Sequence, residues 1–234
     1  MATEPQKSRA AYLVIAGMLT MTAILGFWSG YFGPMLAGGV RHFWFIHVHA
    51  AVFLLWMLLL LLQAALVTCG KVSAHRTIGI GGALWGIVVI VVGFFISVAA
   101  PVARAQAGQL QPDVAELVAL FNLTDMVVFT AFFAAAMRYR ADKSAHKRLI
   151  VCSSIALTGA AVGRVLPSDS IVYLVAWLFP LLVAFLLDWS IERRVHPVFV
   201  IAVPVFVFMF VKVSIYSTAE FWHSLGEVFV GPFL

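Results

Sequence analysis

Three histidines fall within one short stretch, His42-Phe43-Trp44-Phe45-Ile46-His47-Val48-His49. Imidazole is a common metal ligand, and its ordinary pKa lies close to physiological pH. His42, His47 and His49 are therefore the candidate metal ligands of this chain. The spacing works against a shared ion, because residues two apart on a helix point roughly 200° away from each other. His42, His49, Trp56 and Gln63 recur every seven residues and predict one helical stripe that faces other helices. That stripe makes His49 the buried histidine. It sends His47 to the interface or to a neighbouring helix.

A second set of histidines sits in basic loops. Ser73-Ala74-His75-Arg76 and Ser144-Ala145-His146-Lys147 are nearly identical and lie 71 residues apart. Arg194-Val195-His196-Pro197 repeats the theme more loosely. His75, His146 and His196 are the candidate cofactor-binding residues. Their flanking cations would repel a bare metal ion but suit the propionates of haem b. The plainer reading is anchoring, with anionic lipid headgroups as the partner. Ser73 and Ser144 are the expected N-caps of the helices that follow.

The remaining ionisable residues lie inside apolar runs, where they are costly and mark functional sites. Asn122 and Asp125 are three apart and share a helix face. Arg164 lies one helix further on, and Lys212 lies in the last apolar run. With His49 these four form a candidate polar pocket. A lone carboxylate at that depth is strongly destabilising, so Arg164 is the expected counter-ion of Asp125, with His49 as the titrating partner. A retinal Schiff base on Lys212 is disfavoured, since the third apolar run has no Asp or Glu.

What must position these groups is a membrane bundle. Of 234 residues, 63% are hydrophobic and 11% charged, and the mean hydropathy is +1.04. An average soluble domain is about half apolar and a quarter charged. This composition excludes disorder, a nucleic-acid-binding module, a disulfide scaffold and an ordinary cytosolic enzyme. Seven continuous apolar runs predict seven transmembrane helices: Ala10–Phe32, Phe43–Cys69, Thr77–Ala100, Val114–Met137, Leu149–Leu166, Ser170–Trp189 and Pro197–Ser217. The runs do not alternate, which excludes a β-barrel. Breaks are expected at Gly33-Pro34, Gly38-Gly39, Cys69-Gly70, Pro101, Pro112, Pro167-Ser168-Asp169 and His196-Pro197. The chain reads as one polytopic all-α domain, residues 1–234. It has a cytoplasmic tail over 1–9, a bundle over 10–217 and an outer tail over 218–234. The first run reads as an uncleaved signal anchor.

Charge sets the expected orientation. Eleven of the fifteen basic residues precede the first run or lie in the second–third, fourth–fifth and sixth–seventh loops. The other face keeps Arg41, Arg104 and Arg164. The positive-inside rule then puts the N-terminus in the cytoplasm and the C-terminus outside, in a bacterial inner membrane. Pairs two–three, four–five and six–seven become three similar hairpins, with a repeat axis along the membrane normal. Trp28, Tyr31, Trp44, Tyr173, Trp177 and Trp222 are expected in the outer aromatic belt, Tyr139 and Trp189 in the inner one. Trp56 and Trp85 are expected between helices. Cys69 and Cys152 fall at cytoplasmic ends, where a reducing compartment keeps them free. Gly82-x-x-x-Gly86 and Gly159-x-x-x-Gly163 predict close helix contacts. Pro180 and Pro204 predict kinks.

The segment His47/His49, the loops His75-Arg76 and His146-Lys147-Arg148, and Arg164 together resemble a family of bacterial multi-pass inner-membrane proteins. The likeness covers roughly residues 43–197 and brings no established activity. At longer range the arrangement is similar to the transmembrane cytochrome b proteins, which pass electrons from ascorbate or quinol through two haems. That resemblance implies His75 and His146 as an inner ligand pair. The outer pair departs from it: the second run offers His49, but the fourth offers Asp125 and no histidine.

Three functions stand as expectations. The first is a haem- or quinone-linked electron-transfer protein. The second is a transporter or sensor with an outward-facing pocket at His49, Asp125 and Arg164. The third is a non-catalytic assembly subunit with a membrane-protein partner. No nucleic-acid partner is expected.

Overall fold

A computed structural model describes residues 4–39, 42–218 and 220–234. Arg41 and the side chain of His223 lie outside what it describes. All regular structure among the described residues is helical: α1 (Glu4–Gly26), a π-turn (Trp28–Phe32), α2 (Gly33–Leu36), α3 (Trp44–Thr68), α4 (Val72–Gln106), α5 (Pro112–Arg138), α6 (Lys143–Val162), α7 (Ile171–Glu192), α8 (Pro197–Thr218), α9 (Glu220–Phe229) and a closing 3-10 turn. Five helices are long and apolar enough to cross a membrane: α1, α3, α4, α5 and α7. The described apolar part of α8 is shorter, Pro197–Lys212.

The helices form a ring around one of their number. α1, α3, α4, α5, α8 and α7 each pack against the next, and α7 closes back on α1. α6 stands inside and touches α1, α5, α7 and α8. Trp56 of α3 reaches it too, donating from Nε1 to Ser154 Oγ at 3.2 Å. Thirteen of the twenty α6 residues are buried, which is why this helix tolerates a polar sequence. Neighbouring helices cover most of its surface. Its hydroxyls return to their own backbone: Ser153 and Ser154 donate to Ile150 O and Thr158 to Ile155 O.

Local chemistry sets the turns. α3 and α4 each end in a Schellman motif with glycine at the left-handed position, Gly70 at φ 75° and Gly108 at φ 68°. In the first, Lys71 N–H bonds Leu66 O at 2.8 Å, and in the second Gln109 N–H bonds Arg104 O at 2.8 Å. Two expected breaks are corrected. Pro101 lies inside α4, which runs on for 35 residues, and Gly33-Pro34 opens the short helix α2. Proline fits the first turn of a helix because its missing N–H is unpaired there anyway.

The expected caps are also corrected. α6 is capped by Asp142, whose Oδ1 accepts from Ser144 N at 2.8 Å and Ala145 N at 3.2 Å. α4 starts at Lys71 with no side-chain cap. The two backbone bonds hold the Asp142 carboxyl below its usual pKa. Its stabilising effect is therefore complete above the ordinary carboxylate range and fades as pH falls through the lowered folded value. Asp142→Ala is expected to lower the unfolding midpoint at pH 7 and to have little effect at pH 2. Thermal unfolding at the two pH values checks this.

One end of the bundle gathers the basic turns α3–α4, α5–α6 and α7–α8 with the start of α1. Thr68 donates to Arg9 O at 3.2 Å, and Lys147 to Ser8 Oγ at 2.9 Å. At the far end the stretch read as a tail instead forms α9. It packs on α5, and Gln106 of α4 donates to Phe233 O at 2.9 Å.

Candidate functional site

Pro101, Gly163 and the π-turn residues Gly30, Tyr31 and Phe32 border an open space at the far end of the bundle. This cavity has a volume of about 780 Å³. His49 from α3, Arg104 from α4, Asn122 and Asp125 from α5, Lys212 from α8 and Arg164 just past α6 all line it. All five residues read from the sequence as a polar pocket thus share one space. Arg104 joins them, although the sequence marked it only as an outer cation. Apolar parts of the wall come from Phe53, Met57, Met126 and Trp177.

The ion pairing differs from expectation. Asp125 pairs with Lys212, which also donates to Phe121 O at 2.9 Å. Arg164 instead donates to Ala160 O at 2.8 Å and lies 4.2 Å from the centre of the Phe27 ring. The reason is direction. α8 packs on α5 and aims Lys212 across the cavity, whereas Arg164 has left α6 for the cavity mouth. Neither Arg104 nor Arg164 meets a carboxylate among the described residues. They stand close enough to feel each other's charge.

His49 has its Nδ1 buried without a hydrogen-bond partner, and its ring lies 4.2 Å from that of Phe53. His47 turns to a neighbour, with Nδ1 2.9 Å from the Tyr31 hydroxyl. His42 lies 3.3 Å from Gly30 O, its ring stacked on Tyr31. The candidate metal set His42, His47 and His49 does not converge, and no group of three metal-binding side chains forms among the described residues. The angular argument accounts for this: His47 and His49 leave α3 on different faces.

The loop histidines occupy the basic end, and none of the three lines the cavity. His146 Nδ1 is bonded to Ala136 O at 2.9 Å, which leaves Nε2 open. His75 Nδ1 and both amide atoms of Gln63 are buried without partners. His75 and His146 are close enough to interact electrostatically. His196 Nδ1 accepts from Val198 N at 3.2 Å and so caps α8.

Sequence reasoning missed a second buried ion pair. Arg148 of α6 is fully buried and pairs through Nε with Asp188 of α7. Its Nη1 donates to Ser144 O at 2.7 Å and also to Ser144 Oγ. Tyr12 of α1 donates to the same carboxylate, 3.3 Å from each oxygen. The signal was available: Asp188 is the one charged residue between Ile171 and Ile191. Three residues assigned to the aromatic belt are also buried, Tyr31, Tyr173 and Trp177. Their polar tips face protein, as when Trp177 Nε1 donates to Ile155 O at 3.0 Å. Trp56 and Trp85 pack between helices as expected, and Trp85 donates to Val52 O at 3.1 Å.

Comparison of the chain with known protein families, with curated proteins and with solved structures finds no match in any of the three.

Proposed function

We propose that this chain is a ligand-binding carrier or sensor of the bacterial inner membrane, with the cavity as its binding site, open to the outer face. The observation that carries this reading is the convergence of polar groups from five separate parts of the chain on one space of about 780 Å³. Ligand pockets have this size and this mix of apolar wall and few polar groups. The topology that goes with it has seven spans. α6 and α8 complete the bundle, the basic turns and N-terminus are cytoplasmic, and the C-terminus is outside. The basic turns then sit at anionic lipid headgroups.

Thiol labelling tests both parts. Cys69 is exposed beside the α3–α4 turn, and Cys152 is fully buried. In intact cells a membrane-impermeant maleimide is expected to spare Cys69 and to label it once the membrane is opened. In a Cys69→Ser background, Asn122→Cys is expected to label from outside without opening. Labelling of Cys69 from outside would invert the topology. An Asn122→Cys that reacts only after permeabilisation would close the cavity to the outer face.

A second reading places redox chemistry at the other end. It is favoured by the unpartnered Nδ1 of His75 and amide of Gln63, near a His146 held by Ala136 O. A carbonyl on Nδ1 is the usual way to aim Nε2 at a metal. His75 and His146 would hold haem b, which supplies one-electron chemistry when bound, with quinone as the electron partner. The expected result is a Soret band in the purified protein that shifts on reduction and is absent in both His75→Ala and His146→Ala. A colourless preparation from cells grown with ample haem precursor rejects this reading.

A further inference from the structure

The charge inside the cavity does not balance. Asp125 is matched by Lys212. That leaves two guanidinium groups, Arg104 and Arg164, at the mouth with no carboxylate among the described residues. Arg164 spends one nitrogen on Ala160 O. Its Cζ lies over the Phe27 ring, 4.2 Å from the centroid. Two like charges at the edge of a low-dielectric bundle repel, and an anion between them removes that repulsion. An independent observation points to the same place. His49 lines the same cavity with a buried Nδ1 that no protein atom satisfies, and such an atom is stabilised by any ligand that bonds it.

The cavity also has an apolar part. Phe53, Met57, Met126 and Trp177 line it. Met57, Met126 and Trp177 are almost fully buried, so the walls are held by the core and do not depend on the ligand for their shape. Methionine and aromatic walls accept flexible apolar chains of varied shape.

We propose that the cavity binds an amphipathic anion, its head between Arg104 and Arg164 beside His49, and its apolar body on Phe53, Met57, Met126 and Trp177. The head is a carboxylate or a phosphate, since both match two guanidinium groups. This rests on the cavity being a binding site open to the outer face.

The test uses the full chain in nanodiscs of zwitterionic lipid, with tryptophan fluorescence as the readout, because Trp177 lines the cavity. The probes are 10-bromodecanoate, a bromodecyl phosphate and 10-bromodecanol. Both anions are expected to quench saturably and at least tenfold more tightly than the alcohol. The stronger of the two anions identifies the head. Arg104→Gln and Arg164→Gln are each expected to weaken the anions about tenfold and to leave the alcohol unchanged. Arg104 is exposed near the end of α4, so its variant keeps the test valid should Arg164→Gln fold poorly. Equal binding of alcohol and anions, or anion binding indifferent to both substitutions, overturns the proposal. Absence of any saturable quenching also overturns it, while Asn122→Cys labelling from outside would still stand for the cavity itself. Failure of that labelling removes the binding-site reading underneath.

Discussion

Arg148→Met is expected to destabilise the bundle by about 3–5 kcal/mol, and adding Asp188→Leu to the same chain is expected to recover most of that loss. The pair is buried on both sides, with Arg148 fully enclosed and Asp188 nearly so. Removing the cation leaves a carboxylate among apolar side chains with only the Tyr12 hydroxyl for company. Removing both leaves an apolar contact of similar volume between α6 and α7. The opposite single change, Asp188→Leu, takes the carboxylate from a buried guanidinium whose Nη1 still bonds Ser144, and should be about as harmful. Tyr12→Phe removes one shared hydroxyl and should cost only about 1 kcal/mol. Unfolding of the purified protein in mixed micelles measures all four. Losses that simply add in the double variant would show that the two side chains act independently.

Gly26→Ala is the second large effect, although it adds a single methyl group. A Cβ on Gly26 would lie 2.3 Å from Ala161 O, 2.6 Å from its carbonyl carbon and 2.7 Å from its Cβ. Those atoms are backbone and near-backbone of the central helix, so no rotamer change relieves the collision. α1 must move off α6, and overpacking of this kind costs about 1–3 kcal/mol. Gly17 on the same helix is the control, since nothing lies within 4 Å of its added Cβ. There alanine should gain up to about 1 kcal/mol through helix propensity. If the two alanines behave alike, close approach at Gly26 is not what seats α1. The same displacement would widen the cavity wall formed by Ala23 and Phe27, so Gly26→Ala should also loosen ligand binding.

Much of the site was legible in the sequence because ionisable residues inside apolar runs are few. His49, Asn122, Asp125, Arg164 and Lys212 stand out against their neighbours without any knowledge of packing. Which of them pair was not legible. Asp125 could meet Arg164 or Lys212, and the choice depends on where α8 sits in the ring, a tertiary fact that no local pattern encodes. The same limit explains the aromatic belt. Tyr173 and Trp177 lie near the start of α7, yet α7 turns them inward. Depth follows from position along the chain; azimuth follows from contacts.

The glycine spacing carried real information at two points. A Cβ on Gly86 would meet the Phe133 ring at 2.2 Å, and one on Gly159 would meet the Tyr173 hydroxyl oxygen at 3.1 Å. Gly26 and Gly93 are as tight; Gly26 opens a Gly26-x-x-x-Gly30 spacing that the sequence reading passed over, and Gly93 belongs to no such pattern. Gly93 is pressed by Met126, where an added Cβ would lie 2.4 Å from the sulfur. Loops were harder. Asp142 outcompetes Ser144 as a cap because it lies two residues earlier, where an acceptor reaches the first free amides.

The placement of α6 bears on the order in which the protein is made. Its residues are too polar to hold it in hydrocarbon alone, and it is stable only because neighbours cover it. α1, α3, α4 and α5 emerge from the ribosome before it and can receive it. Asp188, which neutralises the one charge enclosed in α6, arrives forty residues after Arg148. A nascent chain that stops after Val162 therefore lacks the carboxylate that Arg148 meets in the finished bundle. The buried pairing of α6 is therefore complete only once α7 has been made, and the later part of the chain closes the packing of the middle.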